Sequence, residues 1–188
     1  MYSASDLRKG LKIEIDGVPF DIVEYEFYRP GKGQAMYKCR IRNLLNGNVT
    51  DKTFREVDAI GEPNLEEREM QYSYNDGEHF VFLENRTYEQ ISLSPDVLGT
   101  QKYFLREDMT VKVLFHNDRA IVVTLPAYVE KEIVSTEPGA RGDTATNVTK
   151  AAKIDTGFEI RVPLFINEGD LVRIDTRTGA YSERVSKK

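Results

Sequence analysis

The sequence predicts an all-β protein made of three small barrels in series, and three observations carry that prediction. Short apolar–polar alternations recur along the whole chain, which is strand periodicity. Gly, Asn-Gly and Asp-Gly turns interrupt them at the spacing of small barrels. No stretch keeps a helical period for more than about three turns, so helices enter only as small insertions.

The first unit, residues 1–62, opens with strands at 11–15 and 19–25 around Asp16-Gly17, a strong hairpin signal. A longer strand at 35–43 turns at Asn46-Gly47 and returns through 49–54, and Gly61-Glu62-Pro63-Asn64 reads as a linker. The second unit, residues 63–127, starts with Met70, Tyr72 and Tyr74 in alternation and turns at Asn75-Asp76-Gly77. Strands follow at 80–83 and 89–93, and residues 94–105 lose the period of two and read as a short helix or turn after Ser94-Pro95. Strands at 109–115 and 120–125 pair across residues 116–119 before Pro126. In the third unit, residues 128–188, a strand at 128–135 meets the turn Glu137-Pro138-Gly139, and residues 141–149 are polar. Strands at 159–166, 171–176 and 180–185 complete it. Units of about 60 residues bury only about 60% of their unfolded surface, so closing each sheet into a barrel helps by removing exposed edges.

Composition narrows the function classes. The 188 residues are 40% hydrophobic and 30% charged, in the globular range. A net charge of -5 excludes a simple polycation, but local charge decides RNA binding. Cys39 is the only cysteine, so no internal disulfide forms. The start, Met1-Tyr2-Ser3-Ala4-Ser5-Asp6, lacks a basic-then-apolar leader, and no apolar run reaches about 18 residues. A cytoplasmic protein with no membrane partner is expected.

The charge is unevenly spread. Residues 27–50 hold no acid and five bases, Arg29, Lys32, Lys38, Arg40 and Arg42, while residues 63–127 hold 11 acids against 6 bases. Alternation puts Lys38, Arg40 and Arg42 on one face of a strand and Tyr37, Cys39 and Ile41 on the other. Either RNA phosphates neutralise that basic face or carboxylates do so from across the sheet. Cys39 reads as a buried small hydrophobe. Arg29-Pro30-Gly31-Lys32-Gly33-Gln34 joins two strands, so it is a hairpin loop in which nothing adjacent packs over Lys32. Its ammonium points into solvent or into a partner's cavity. It is not a nucleotide-binding P-loop, because no Ser/Thr and helix follow the lysine.

Pro30-Gly31-Lys32-Gly33-Gln34-Ala35 resembles the tip loop of the bacterial elongation factor P family. The run from Lys150-Ala151-Ala152-Lys153 through Thr156-Gly157 and Val162-Pro163 to Gly169 resembles the signature of its third domain. Asp175-Thr176-Arg177-Thr178-Gly179 with Tyr181 resembles its C-terminal hairpin, and Gly142-Asp143-Thr144 and Tyr74-Asn75-Asp76-Gly77 match further loops. Ala151 departs from a common proline, and Ala180 from a usual glutamate. The resemblance spans the chain and implies an SH3-like, KOW-like first barrel and two OB-fold barrels in an elongated, tRNA-like L shape. It implies a non-enzymatic elongation factor that binds the 70S ribosome as a monomer, beside P-site peptidyl-tRNA. Such a factor promotes peptide bonds at consecutive prolines by positioning the tRNA CCA end. Lys32 would approach the peptidyl transferase centre, with no cofactor but a possible covalent modification by a Lys32-modifying enzyme. Lys38, Arg40 and Arg42 would meet transfer or ribosomal RNA. Gly142, Asp143, Thr144, Tyr181 and Arg184 would face the small subunit and the E-site codon.

Three rivals remain. A generic OB-fold RNA-binding protein explains the barrels and the basic strand but not the tip. An enzyme would need convergent groups, and His79, His116 and Cys39 offer at most one Cys–His pair and no zinc-ligand spacing. An extracellular adhesion module would use Arg141-Gly142-Asp143 and the sequons at Asn48, Asn85 and Asn147, but the leader such a protein needs is missing.

Overall fold

The computed structural model describes residues 1–139 and 148–187. It is nearly all β, in three sheets, as the alternations predict. By contacts it divides into two compact units, Met1–Glu67 with Leu114–Val122, and Arg68–Val113 with Val123–Lys188.

In the first unit, β1 (Lys12–Ile15), β2 (Val18–Tyr28), β3 (Met36–Asn43) and β4 (Val49–Arg55) form one antiparallel sheet in that order. Asp16 and Gly17 take φ of 51° and 77°, the left-handed pair that a two-residue hairpin needs. Ile13, Ile22, Tyr37, Cys39, Ile41, Phe54 and Ile60 make the core. A bulge between Ile22 and Glu24 interrupts the β2–β3 register, and beyond it all five residues to Tyr28 are exposed. Residues 60 and 61 stitch the unit together. The Tyr2 amide donates to the Ile60 carbonyl at 2.8 Å, and the Glu14 and Gly61 backbones exchange bonds of 2.8 and 3.1 Å. A side chain at Gly61 would put its Cβ 2.8 Å from the Glu14 carbonyl oxygen, so only glycine allows this approach.

β5 (Leu65–Asn75), β6 (Phe80–Glu84), β7 (Gln90–Leu93), β8 (Thr110–His116) and β9 (Arg119–Thr124) form the second sheet, ordered β7-β6-β5-β8-β9. The turn-proximal ends of β8 and β9 fall within Leu114–Val122, in the first unit. Between β7 and β8 lie α1 (Pro95–Leu98) and a 3-10 turn, Gly99–Phe104, the small helical insertion expected there.

The third sheet holds β10 (Tyr128–Thr136), β11 (Thr149–Ile154), β12 (Glu159–Pro163), β13 (Leu171–Asp175) and β14 (Ala180–Ser186), ordered β12-β11-β10-β13-β14. Two details differ from the expected strands. β11 is not among the expected strands, because its inward face reads Lys150, Ala152 and Ile154, which looks polar and weakly β-forming. Lys150 is nevertheless buried and donates to the Glu137 carbonyl at 2.6 Å. β12 stops at Pro163 instead of reaching 166, as a turn closes where the Ile166 amide donates to the Pro163 carbonyl at 3.2 Å.

The second unit has its own internal weld. Phe104 is fully buried edge-on to Phe158 at 5.2 Å, and Tyr103 stacks on the same ring at 4.9 Å. The Thr156 hydroxyl donates to the Tyr103 carbonyl at 2.9 Å, and Gln101 Nε2 donates to the Thr176 carbonyl at 2.5 Å. Buried Lys131 donates to the Leu105 carbonyl at 3.2 Å and pairs with Asp155 at 3.3 Å. This satisfies a buried ammonium that would otherwise be costly. No helix among the described residues is long and apolar enough to cross a membrane.

Candidate nucleic-acid interface

The tip grows directly from the β2–β3 ladder, whose last rung pairs Tyr28 with Met36. Ala35, buried, anchors the returning chain, while Arg29, Gly31, Lys32, Gly33 and Gln34 are exposed and Pro30 is half-buried. Gly33 sits at φ 138°, where a Cβ would come 3.2 Å from Pro30 Cγ. The loop therefore folds Pro30 over Gly33 and leaves the lysine between them outside. Among the described residues neither Lys32 nor Arg29 has a hydrogen-bond, ion-pair or ring partner. Lys32 is a free cation on a short loop carried by two paired strands.

The basic strand is more neutral in space than in sequence. Lys38, Arg40 and Arg42 do share an exposed face of β3. The register, however, brings Asp21, Glu24 and Glu26 opposite them from β2, and Asp51 opposite Arg40 from β4. Arg40 reaches Asp51 at 3.2 Å and Glu24 at 3.6 Å. Arg42 reaches Asp21 at 3.2 Å, and Lys12 holds the same carboxylate at 2.7 Å. Lys38, though Glu26 stands opposite it, makes no ion pair among the described residues and lies 5.4 Å from the Tyr28 ring centroid. The acid-free stretch 27–50 is thus flanked by acids that fold back beside it. Of the two alternatives for this face, carboxylates across the sheet account for both arginines.

Tyr25, Phe27 and Tyr28 are exposed aromatics below the tip, and Phe27 tilts against Tyr37 at 5.1 Å. Cys39 is buried, and burial pushes its thiol up to about 11. His116 is bonded to Glu14 at 2.9 Å, and no group of three or more His, Cys, Asp or Glu among the described residues could hold a metal ion.

Gly142, Asp143 and Thr144 lie outside the described residues. Tyr181 is half-buried on β14, and burial raises its phenol. Arg184 lies 3.7 Å from the carboxylate of buried Asp170, with its guanidinium 4.9 Å from the Phe165 ring. Sequence reasoning missed the Glu14–His116 pair, which joins residues 102 positions apart, and the Arg184–Asp170 pair; neither leaves a local signal.

Residues 3–60 match the model of the elongation factor P KOW-like domain, 65–123 that of the OB domain, and 129–184 that of the elongation factor P C-terminal domain. The chain is 50% identical over 187 residues to elongation factor P of Desulforapulum autotrophicum, covering 100% of both chains. It is 47% identical over 184 residues to that of Nitratidesulfovibrio vulgaris, covering 98% of this chain and 100% of the relative. Its fold resembles a eukaryotic translation initiation factor 5A from Methanococcus jannaschii, with a TM-score of 0.55 at 20% identity over 66% of this chain and 92% of that one. Three β sheets, a lysine-tipped hairpin and these matches together define a translation factor built from KOW-like and OB domains. The relatives spanning the whole chain make the assignment specific: it belongs to the elongation factor P family.

Proposed function

We propose that this chain binds the 70S ribosome beside P-site peptidyl-tRNA and promotes peptide-bond formation at consecutive prolines. It does so by holding the tRNA CCA end in a productive position, acting as a cytoplasmic monomer and supplying no acid, base or nucleophile of its own. Positioning alone can contribute several kcal/mol when the reacting groups are otherwise badly aligned. The observation that carries the reading is Lys32, a cation with no internal partner among the described residues, on an exposed loop at the end of a paired hairpin. A side chain of that kind contributes nothing to the fold and is available to a partner or to a modifying enzyme. Lys38 adds a cation beside the tip, with Arg40 and Arg42 further along the strand. The Gly142-Asp143-Thr144 loop, Tyr181 and Arg184 face the small subunit in this reading.

The test is Lys32→Ala in reconstituted translation through three consecutive prolines. The variant folds as the parent does, since surface changes of this kind stay within about 0.5 kcal/mol. It binds ribosomes and fails to accelerate the stalled step. Lys32→Arg keeps the charge and removes the amine that modifying enzymes act on. Failure of Arg assigns activity to the modified amine, and retention assigns it to charge. Full rescue by Lys32→Ala overturns the reading.

A further inference from the structure

We infer that Glu14 and His116 are positioning residues for Lys32, bracing the base of the strand that carries the tip. The inference rests on the proposed role of Lys32, and every group it uses lies in the first unit. β2 spans 11 residues, with the bulge between Ile22 and Glu24 inside it. Its near end is paired with β1, Glu14 facing Pro19, and its far end is Tyr28, where the tip loop begins. At about 3.3 Å per residue, Pro19 and Tyr28 stand at most about 30 Å apart. Rocking such a lever by about 2° at its base moves the far end by about 1 Å. A misplacement of that size can cost about 100-fold in a reaction that depends on positioning.

The brace acts at a rung whose β1 residue is held from the side away from β2. The backbone amide and carbonyl of Glu14 both bond to Gly61, on the side away from β2. Glu14 and Pro19 are therefore a non-hydrogen-bonded pair, lying between the Ile13–Phe20 and Ile15–Val18 pairs, and no ladder bond holds the Glu14 backbone directly to β2. Two contacts hold Glu14 instead. One is the Gly61 backbone, which approaches so closely that a Cβ would not fit. The other is His116, at the end of β8, whose Nε2 donates to Glu14 Oε2 at 2.9 Å. The His116 side chain is only 9% exposed against 28% for Glu14, so the ring is fixed by its surroundings and the carboxylate is held by the ring. The same turn is tied down next door, where the Asn117 amide donates to the Asn64 carbonyl at 3.2 Å. Neither side chain approaches the tip, so they act on Lys32 only through the strand.

The experiment measures synthesis through three prolines while the factor is titrated, giving a maximal rate and a half-saturating concentration. The variants are Glu14→Ala, His116→Ala, the double variant and Glu14→Gln, each checked by melting to be folded at the assay temperature. Glu14→Ala keeps the test alive if loss of the buried imidazole unfolds the hairpin end. We expect each single variant to lower the maximal rate about tenfold, with half-saturation within about twofold, because the tip still arrives but is aimed poorly. The double variant should be no worse than either single one, and Glu14→Gln, which keeps an acceptor at the same reach, should restore most of the rate. A maximal rate within about twofold of the parent in Glu14→Ala overturns the brace, as does a double variant whose losses multiply. Lys32→Ala run alongside separates the two ideas. If it is inactive while Glu14→Ala is normal, only the brace fails; if it is fully active, the tip reading fails and takes the brace with it.

Discussion

Replacing Lys38, Arg40 and Arg42 together with glutamine tests how much of the basic strand meets RNA. Three cations each releasing counterions from phosphate would flatten the log–log salt dependence of ribosome binding by about 2–3. The ion pairs reduce that figure. Arg42 shares Asp21 with Lys12, and Asp21 is only 15% exposed, so turning Arg42 outward strips a partly buried carboxylate of one partner. Arg40 lies between two carboxylates, at 3.2 and 3.6 Å. Of the three, only Lys38 makes no ion pair among the described residues, so the expected flattening is about 1, and Lys38→Gln by itself should reproduce most of it. The triple variant should also bind more weakly at every salt concentration, because it leaves Asp21, Glu24, Glu26 and Asp51 facing the RNA. Binding to ribosomes carrying P-site tRNA, measured from about 50 to about 200 mM salt, gives the slopes. A change near 3 shared equally among single variants would show that phosphate displaces the carboxylates and would refute the reasoning. No change at all would make the face a solvated one.

Two further predictions concern the cores. Phe104→Ala removes a fully buried ring that packs edge-on to Phe158, and should cost about 3–5 kcal/mol in a urea melt; a loss below about 1 kcal/mol would mean the weld around Phe158 carries little. The Cys39 thiol, raised by burial from 9.0 to about 11, should resist alkylation near neutral pH in the folded protein and react once it unfolds. Because the native state keeps that proton longer than the unfolded chain, this contribution is complete below about pH 9 and falls as the pH rises towards about 11. Cys39→Val should flatten that alkaline loss, and an unchanged pH profile would place its cause elsewhere.

What the sequence makes legible is whatever is written locally. Asp16-Gly17 announces its hairpin because few residue pairs take the backbone angles that turn needs. The two faces of β3 follow from a period of two, and the buried Tyr37, Cys39 and Ile41 obey it. The tip is legible for the same reason, as two glycines beside a lysine exclude packing over it. β11 was hidden because its inward lysine finds a carbonyl that only the folded chain supplies. The sequence leaves two partners open for the β3 face because an acid-free stretch of chain is not an acid-free region of space, and the carboxylates beside Arg40 and Arg42 come from strands on either side. Glu14 and His116 carry no mark of their partnership, since nothing in either neighbourhood requires the other.

The weld in the second unit also governs when that unit can fold as the chain emerges during synthesis. Tyr103 waits for Thr156, 53 positions further along, and Gln101 waits for Thr176, 75 positions along. At about 5–20 residues per second, the Gly99–Phe104 turn stays without its partners for roughly 3–15 s. During that interval Phe104 lacks the Phe158 ring it packs against, and the Leu105 carbonyl lacks its ammonium donor until Lys131, 26 positions along, has emerged. A nascent chain halted anywhere between residues 105 and 155 therefore displays a sticky, unfinished surface. Completion of the unit is tied to the arrival of the last strands, so a chain that ends before Thr156 lacks the groups that close it.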